Sequence, residues 1–105
     1  MNLTKQKPWR SPKLLAEAKG QSCVRCEIDD GTIVAAHYSG LYSERFGRGM
    51  SMKGDDFWVA FFCAKCHTYF DLYVDGNDDA RAIEFMSCIH ATLKRLFAQG
   101  VLIVR

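Results

Sequence analysis

Two Cys-x-x-Cys pairs constrain this chain more than any other feature: Cys23-Val24-Arg25-Cys26 and Cys63-Ala64-Lys65-Cys66. Two intervening residues let a tight turn aim both sulfurs at one ion, and two such turns complete a tetrahedral site. Four thiolates leave no open position. The spacing therefore predicts a structural zinc ion (Zn2+) held by Cys23, Cys26, Cys63 and Cys66. The fold must then bring residues 63–66 back beside residues 23–26. A chain of 105 residues has the size of one small domain, in which a modest core leaves room for a metal to add stability. The N-terminus is polar and has no apolar leader, and no apolar run reaches the length of a membrane span. These features predict a protein of the reducing cytoplasm, away from membranes, where thiols bind zinc rather than pair as disulfides. Five cysteines fit four ligands and one spare thiol.

The second pair carries further chemistry. His67 follows Cys66 directly, and Asp71 lies four residues beyond it. On a helix these two share one face, which predicts a second metal site with open positions beside the closed one. The net charge is only +2, but its distribution is uneven. Residues 1–22 hold Lys5, Lys7, Arg10, Lys13 and Lys19 against the single acid Glu17; the remainder holds nine basic and eleven acidic residues. This basic arm is either a phosphate-contacting segment or a solvated terminus. Residues 38–54 read as a loop with four glycines, carrying Arg45, Arg48 and Lys53 against Glu44. Such a loop brings backbone and cations close to phosphates; a plain surface loop is the alternative.

Local patterns place these motifs on elements. Trp9 lies between Pro8 and Pro12 and is a candidate anchor for the arm. Ser11-Pro12 predicts an N-cap and a first-turn proline, opening a helix over residues 12–19 that stops at Gly20 and buries Leu14, Leu15 and Ala18. Asp30-Gly31 predicts a turn before a strand over residues 32–37, which His37 closes. A second strand over residues 56–62 is apolar almost throughout, as a strand buried on both faces is. A short helix over about residues 65–73 follows the second cysteine pair. A long helix over residues 79–99 ends at Gly100, with Ile83, Met86, Ile89 or His90, Leu93, Leu96 and Phe97 at helical spacing. Cys88 and His90 are read as core or flank of this helix. The apolar tail over residues 101–104 either packs on the body or meets a partner, a second copy of the chain included.

The order of these pieces resembles the ββα-metal core of the HNH endonucleases. The residues that carry the likeness are Ala36-His37, Asp56-Phe57, and Cys63-x-x-Cys66-His67 with Asp71. More narrowly, the chain is similar to the YbcO-like family of small phage and prophage nucleases. That likeness adds the cysteine pair after a short helix, the loop Gly47-Arg48-Gly49-Met50-Ser51-Met52-Lys53, and the C-terminal helix. It covers roughly residues 13 to 103. The resemblance implies an α+β fold, with a two-stranded hairpin and short helix around zinc, flanked by N- and C-terminal helices in one domain over residues 1–105. It implies a metal-dependent DNA endonuclease of phage or prophage recombination or DNA processing.

The implied roles follow a physical logic. Hydrolysis of a phosphodiester needs a deprotonated water, neutralised charge in the transition state and a stabilised leaving oxygen. In the likeness His37 is the general base, since an imidazole can take a proton near neutral pH. His67 and Asp71 hold one divalent ion, Mg2+ or another. Asp56 stands where such nucleases usually keep an asparagine, placed to orient the loop or His37 or to reach toward the metal. Lys5, Lys7, Arg10, Arg45, Arg48 and Lys53 contact DNA. Ala36 departs from the pattern, because many HNH nucleases place an acidic ligand there. Two other readings compete: a zinc-stabilised DNA-binding module without catalysis, and an adaptor that docks through its last helix and tail.

Overall fold

The computed structural model describes residues 9–38, 55–72 and 79–104. Within them the elements run α1 (Pro12–Ala16), β1 (Val34–His37), β2 (Val59–Phe62), α2 (Ala64–Asp71) and α3 (Asp79–Ala98). This is a small α+β arrangement around a two-stranded antiparallel sheet. The register pairs Val34 with Phe62, Ala35 with Phe61, Ala36 with Ala60 and His37 with Val59.

β2 is the centre of the core. All four of its residues are buried, as its unbroken apolar run predicts. A strand with one neighbour leaves its outer edge unpaired, and buried backbone groups need partners. Here the Phe61 N–H donates to Thr92 Oγ1 on α3 (3.2 Å), and the Phe61 carbonyl accepts from the Val24 N–H (2.9 Å). Thr92 in turn donates to the Cys88 carbonyl (2.9 Å). Thr92→Val keeps the side-chain shape but leaves the buried Phe61 N–H without a partner. It should cost about 1–3 kcal/mol, read as a lower urea midpoint at unchanged slope; an unchanged midpoint would contradict this edge role.

Aromatic rings join the elements to β2. Phe62 stacks on Phe70 of α2 (centroids 5.0 Å, 16°) and meets Phe85 of α3 edge-on (5.1 Å, 81°). Phe70 and Phe85 also meet, at 5.0 Å. Tyr38 completes the group against Phe85 at 5.3 Å. The pattern of glycines assigns Tyr38 to the loop; the structure instead buries it in the core. Such pairs add about 0.5–1.5 kcal/mol each beyond the area they bury.

The helices start and stop as the local chemistry dictates. Ser11 Oγ accepts from the Leu14 N–H (3.2 Å), and Pro12 opens α1. Regular α-helix ends at Ala16, and turns carry the chain to Gly20, whose φ of +85° favours glycine. Of its predicted buried face, Leu14 and Ala18 are in the core and Leu15 packs partly against it. α3 has Asp79 in its first turn and Arg95 in its last, matching the helix dipole. Its buried stripe is Ala82, Phe85, Cys88, Ile89, Thr92 and Leu96. The expected stripe through Ile83 and Phe97 is therefore corrected: Ile83 is 66% and Phe97 46% exposed. Phe85 must enter the aromatic group, and that requirement sets the rotation of the helix. Of the two residues read as core or flank, Cys88 is core and His90 is exposed, and of Ile89 and His90 it is Ile89 that joins the buried stripe. In the tail, Leu102 packs on the core, while Ile103 and Val104 are exposed. Residue 73, predicted at the end of α2, lies outside the described residues. No helix among the described residues is long and apolar enough to cross a membrane.

Candidate functional site

The hairpin brings the two cysteine pairs together. The first pair sits in a turn closed by the Cys23 N–H on the Ile28 carbonyl (2.8 Å) and the Glu27 N–H on the Cys23 carbonyl (2.9 Å). Glu27 takes a left-handed conformation (φ +66°) to make it. The Val24 N–H docks this turn on Phe61, two residues before Cys63. Cys63 then stands at the N-cap of α2 and makes no side-chain capping bond. The Ala64 N–H is met instead by Thr32 Oγ1 (2.9 Å). That leaves the Cys63 sulfur free for the cluster.

The four sulfurs of Cys23, Cys26, Cys63 and Cys66 lie within 4.8 Å of one another. Tetrahedral zinc with bonds of about 2.3 Å separates its sulfurs by roughly 3.8 Å. Cys26 and Cys63 are 3.6 Å apart, near that value and far beyond a disulfide bond. The cluster can hold an ion such as zinc. Burial pushes the Cys66 thiol up to about 12, with Arg25 pulling the other way. Burial also opposes ionisation of Cys23, but backbone hydrogen bonds from Cys26, Cys63 and Arg25 outweigh it and bring that thiol to about 7. A divalent cation bound there would supply the charge that lets all four ionise together.

Arg25, between the first two cysteines, ties the cluster to the rest of the fold. Its guanidinium donates to Cys66 Sγ (3.5 Å) and to Glu84 Oε2 on α3 (3.0 Å), and lies 4.2 Å over the Tyr69 ring. The spacing of the cysteines does not reveal this role. The signal is a cation placed inside the Cys-x-x-Cys turn, where it balances negative thiolates.

A second constellation forms where β1 ends. His37 Nε2 lies 2.8 Å from Asp56 Oδ1. Asp56 is 3% exposed. It also accepts from the Ser11 N–H on Oδ2 (2.6 Å) and from Arg10 on Oδ1 (3.3 Å). Asp55 Oδ1 accepts from the Trp9 N–H (2.7 Å), and the Asp56 N–H donates to the Trp9 carbonyl (2.9 Å). Residues 55–58 are therefore a clamp on the arm rather than the start of β2, which begins only at Val59. Burial opposes ionisation of Asp56. The His37 hydrogen bond, the Ser11 N–H and the neighbouring His37 and Arg10 charges outweigh it and hold its carboxyl below the usual range.

His67 and Asp71 fall on one face of α2, with Nε2 and Oδ2 3.5 Å apart and both side chains exposed to solvent. Among the described residues, the four cysteines are the one group of three or more His, Cys, Asp or Glu side chains placed to share an ion. Among the described residues, no third His, Cys, Asp or Glu side chain joins His67 and Asp71 to share an ion. Arg10, predicted to contact DNA, is bound to Asp56. Lys5, Lys7, Arg45, Arg48 and Lys53 lie outside the described residues, as does the glycine-rich loop. Comparison of the chain with protein-family models, with curated proteins and with solved structures finds no match.

Proposed function

We propose that the chain is a metal-dependent DNA endonuclease of the HNH type, with a structural zinc ion in its four-cysteine site. The observation that carries this reading is the bond from His37 to the buried Asp56. A general base needs a fixed ring and a defined tautomer, and a buried carboxylate on one ring nitrogen supplies both. With Nε2 on Asp56, Nδ1 is the nitrogen that takes the proton from water. Asp56 acts by positioning the ring. His67 and Asp71 offer one imidazole and one carboxylate, a donor set that suits a divalent ion keeping several waters. When bound there, Mg2+ or a similar ion would neutralise charge on the phosphate and on the departing oxygen. Arg10 and the other cations of the arm and loop attract the polyanion.

A second reading is a zinc-stabilised DNA-binding module without catalysis. Ala36 favours it: this residue offers no ligand, and it is buried. Nicking of supercoiled plasmid in Mg2+, Mn2+ or EDTA separates the two. The nuclease reading expects divalent-dependent nicking that falls at least about 100-fold in folded His37→Ala, the usual contribution of a general base. DNA binding with no nicking in either ion would sink the nuclease and leave the module.

A further inference from the structure

Beside the clamp lies a groove of about 300 Å³, at the lower bound of volumes that take small ligands. Trp9, Val101 and Leu102 give it apolar surface; Ser11, Lys13 and Glu17 give it polar groups. Trp9 is 49% exposed, yet it does not hang free. Its backbone is held at both N–H and carbonyl by residues 55 and 56. Its ring meets Phe57 edge-on at 5.7 Å. A large aromatic face is thus fixed in place and left open to solvent, so a flat ligand can stack on it at little ordering cost. The groove is also joined to the candidate base. Ser11 lines it, and the Ser11 N–H is bound to Asp56, which in turn holds His37.

We propose that this groove binds an unpaired nucleobase of a DNA strand whose phosphates pass Arg10 and Lys13 on the way to His37. The inference rests on the DNA reading above and names its substrate class: single strands, or duplexes with unpaired or frayed bases. The lining pairs one cation, Lys13, with one anion, Glu17. Glu17 repels a phosphate, but its carboxylate accepts from an exocyclic amino group, as acidic side chains accept from cytosine N4. Lys13, exposed on α1, meets the backbone alongside. Bases stacked inside an intact duplex do not present a face to Trp9.

The test is fluorescence anisotropy of the full chain with labelled oligo-dC, oligo-dT and a mixed-sequence duplex, at fixed salt and without added divalent ions. Trp9→Ala should weaken oligo-dC binding about tenfold, as loss of one base–aromatic stack does, while Trp9→Phe stays within about threefold. Duplex binding should not change. Wild type should favour oligo-dC over oligo-dT, and Glu17→Ala should remove that preference. Trp9→Ala that binds oligo-dC as wild type does, or that weakens single strand and duplex alike, overturns the groove. A protein that nicks plasmid but whose oligo-dC binding does not depend on Trp9 sinks the groove alone. Single-strand binding that depends on Trp9, in a protein that never nicks, sinks the nuclease alone.

Discussion

Cys63→Ala is expected to lower stability by more than about 4 kcal/mol, the range reserved for lost metals and disrupted cores. The reason is where Cys63 sits. It follows β2 directly, it occupies the N-cap of α2, and its sulfur lies 3.6 Å from Cys26. Removing it would leave three thiolates for an ion that needs four, so most of the binding free energy that such an ion would add to folding would be lost. The first turn is held mainly by Val24 on Phe61 and by Arg25 on Cys66 and Glu84. Cys88→Ala serves as the control. Cys88 is buried in α3 outside the cluster, and its loss should cost only the roughly 1 kcal/mol of a small truncation. Guanidinium denaturation of both variants checks the contrast. Similar losses for the two would contradict a metal role for Cys63.

Asp56→Ala is expected to cost about 3 kcal/mol, because a buried charged acceptor disappears and its donors stay behind. The Ser11 N–H loses a 2.6 Å bond, His37 loses its partner at 2.8 Å, and Arg10 loses its ion pair. The arm should then loosen from residues 55–58. Asp56→Asn keeps an oxygen for Ser11 but not the charge, and should fall between the two. The pH dependence has a definite sign. The folded carboxyl lies below its ordinary 3.8, so its contribution is present above that value. It fades as acid protonates the folded carboxyl. The stability gap between wild type and Asp56→Asn should therefore narrow on acidification below about pH 4. A gap that widens in acid, or an Asp56→Ala variant within about 0.5 kcal/mol of wild type, would contradict the clamp.

What could be read from the sequence was local chemistry. Cys-x-x-Cys needs only its own turn, so four ligands were legible from spacing, and the structure gathers them. The Ser11 cap, the Gly100 stop and the buried run of β2 are local too, and they hold, whereas regular α1 ends at Ala16, short of the expected stop at Gly20. The rotation of α3 was not legible. Apolar residues lie on more than one side of it, and only the long-range meeting of Phe85 with Phe62 and Phe70 selects the buried one. Asp56 was visible as a candidate, but not its partners Ser11 and Arg10, 45 and 46 residues away. Asp55-Asp56 before an apolar run looks like the start of a strand. The side chains instead turn back to hold the arm. Arg25 was hidden for a similar reason, since its partners Glu84 and Tyr69 come from helices formed later in the chain.

The account depends first on four cysteines sharing one ion. Native mass spectrometry of protein purified without chelator tests this most directly, with thiol counting alongside. One zinc per chain, with Cys23, Cys26, Cys63 and Cys66 protected from a thiol reagent until the ion is removed, is the predicted result. A metal-free chain that keeps its fold, with the exposed Cys26 reacting at once, would contradict it.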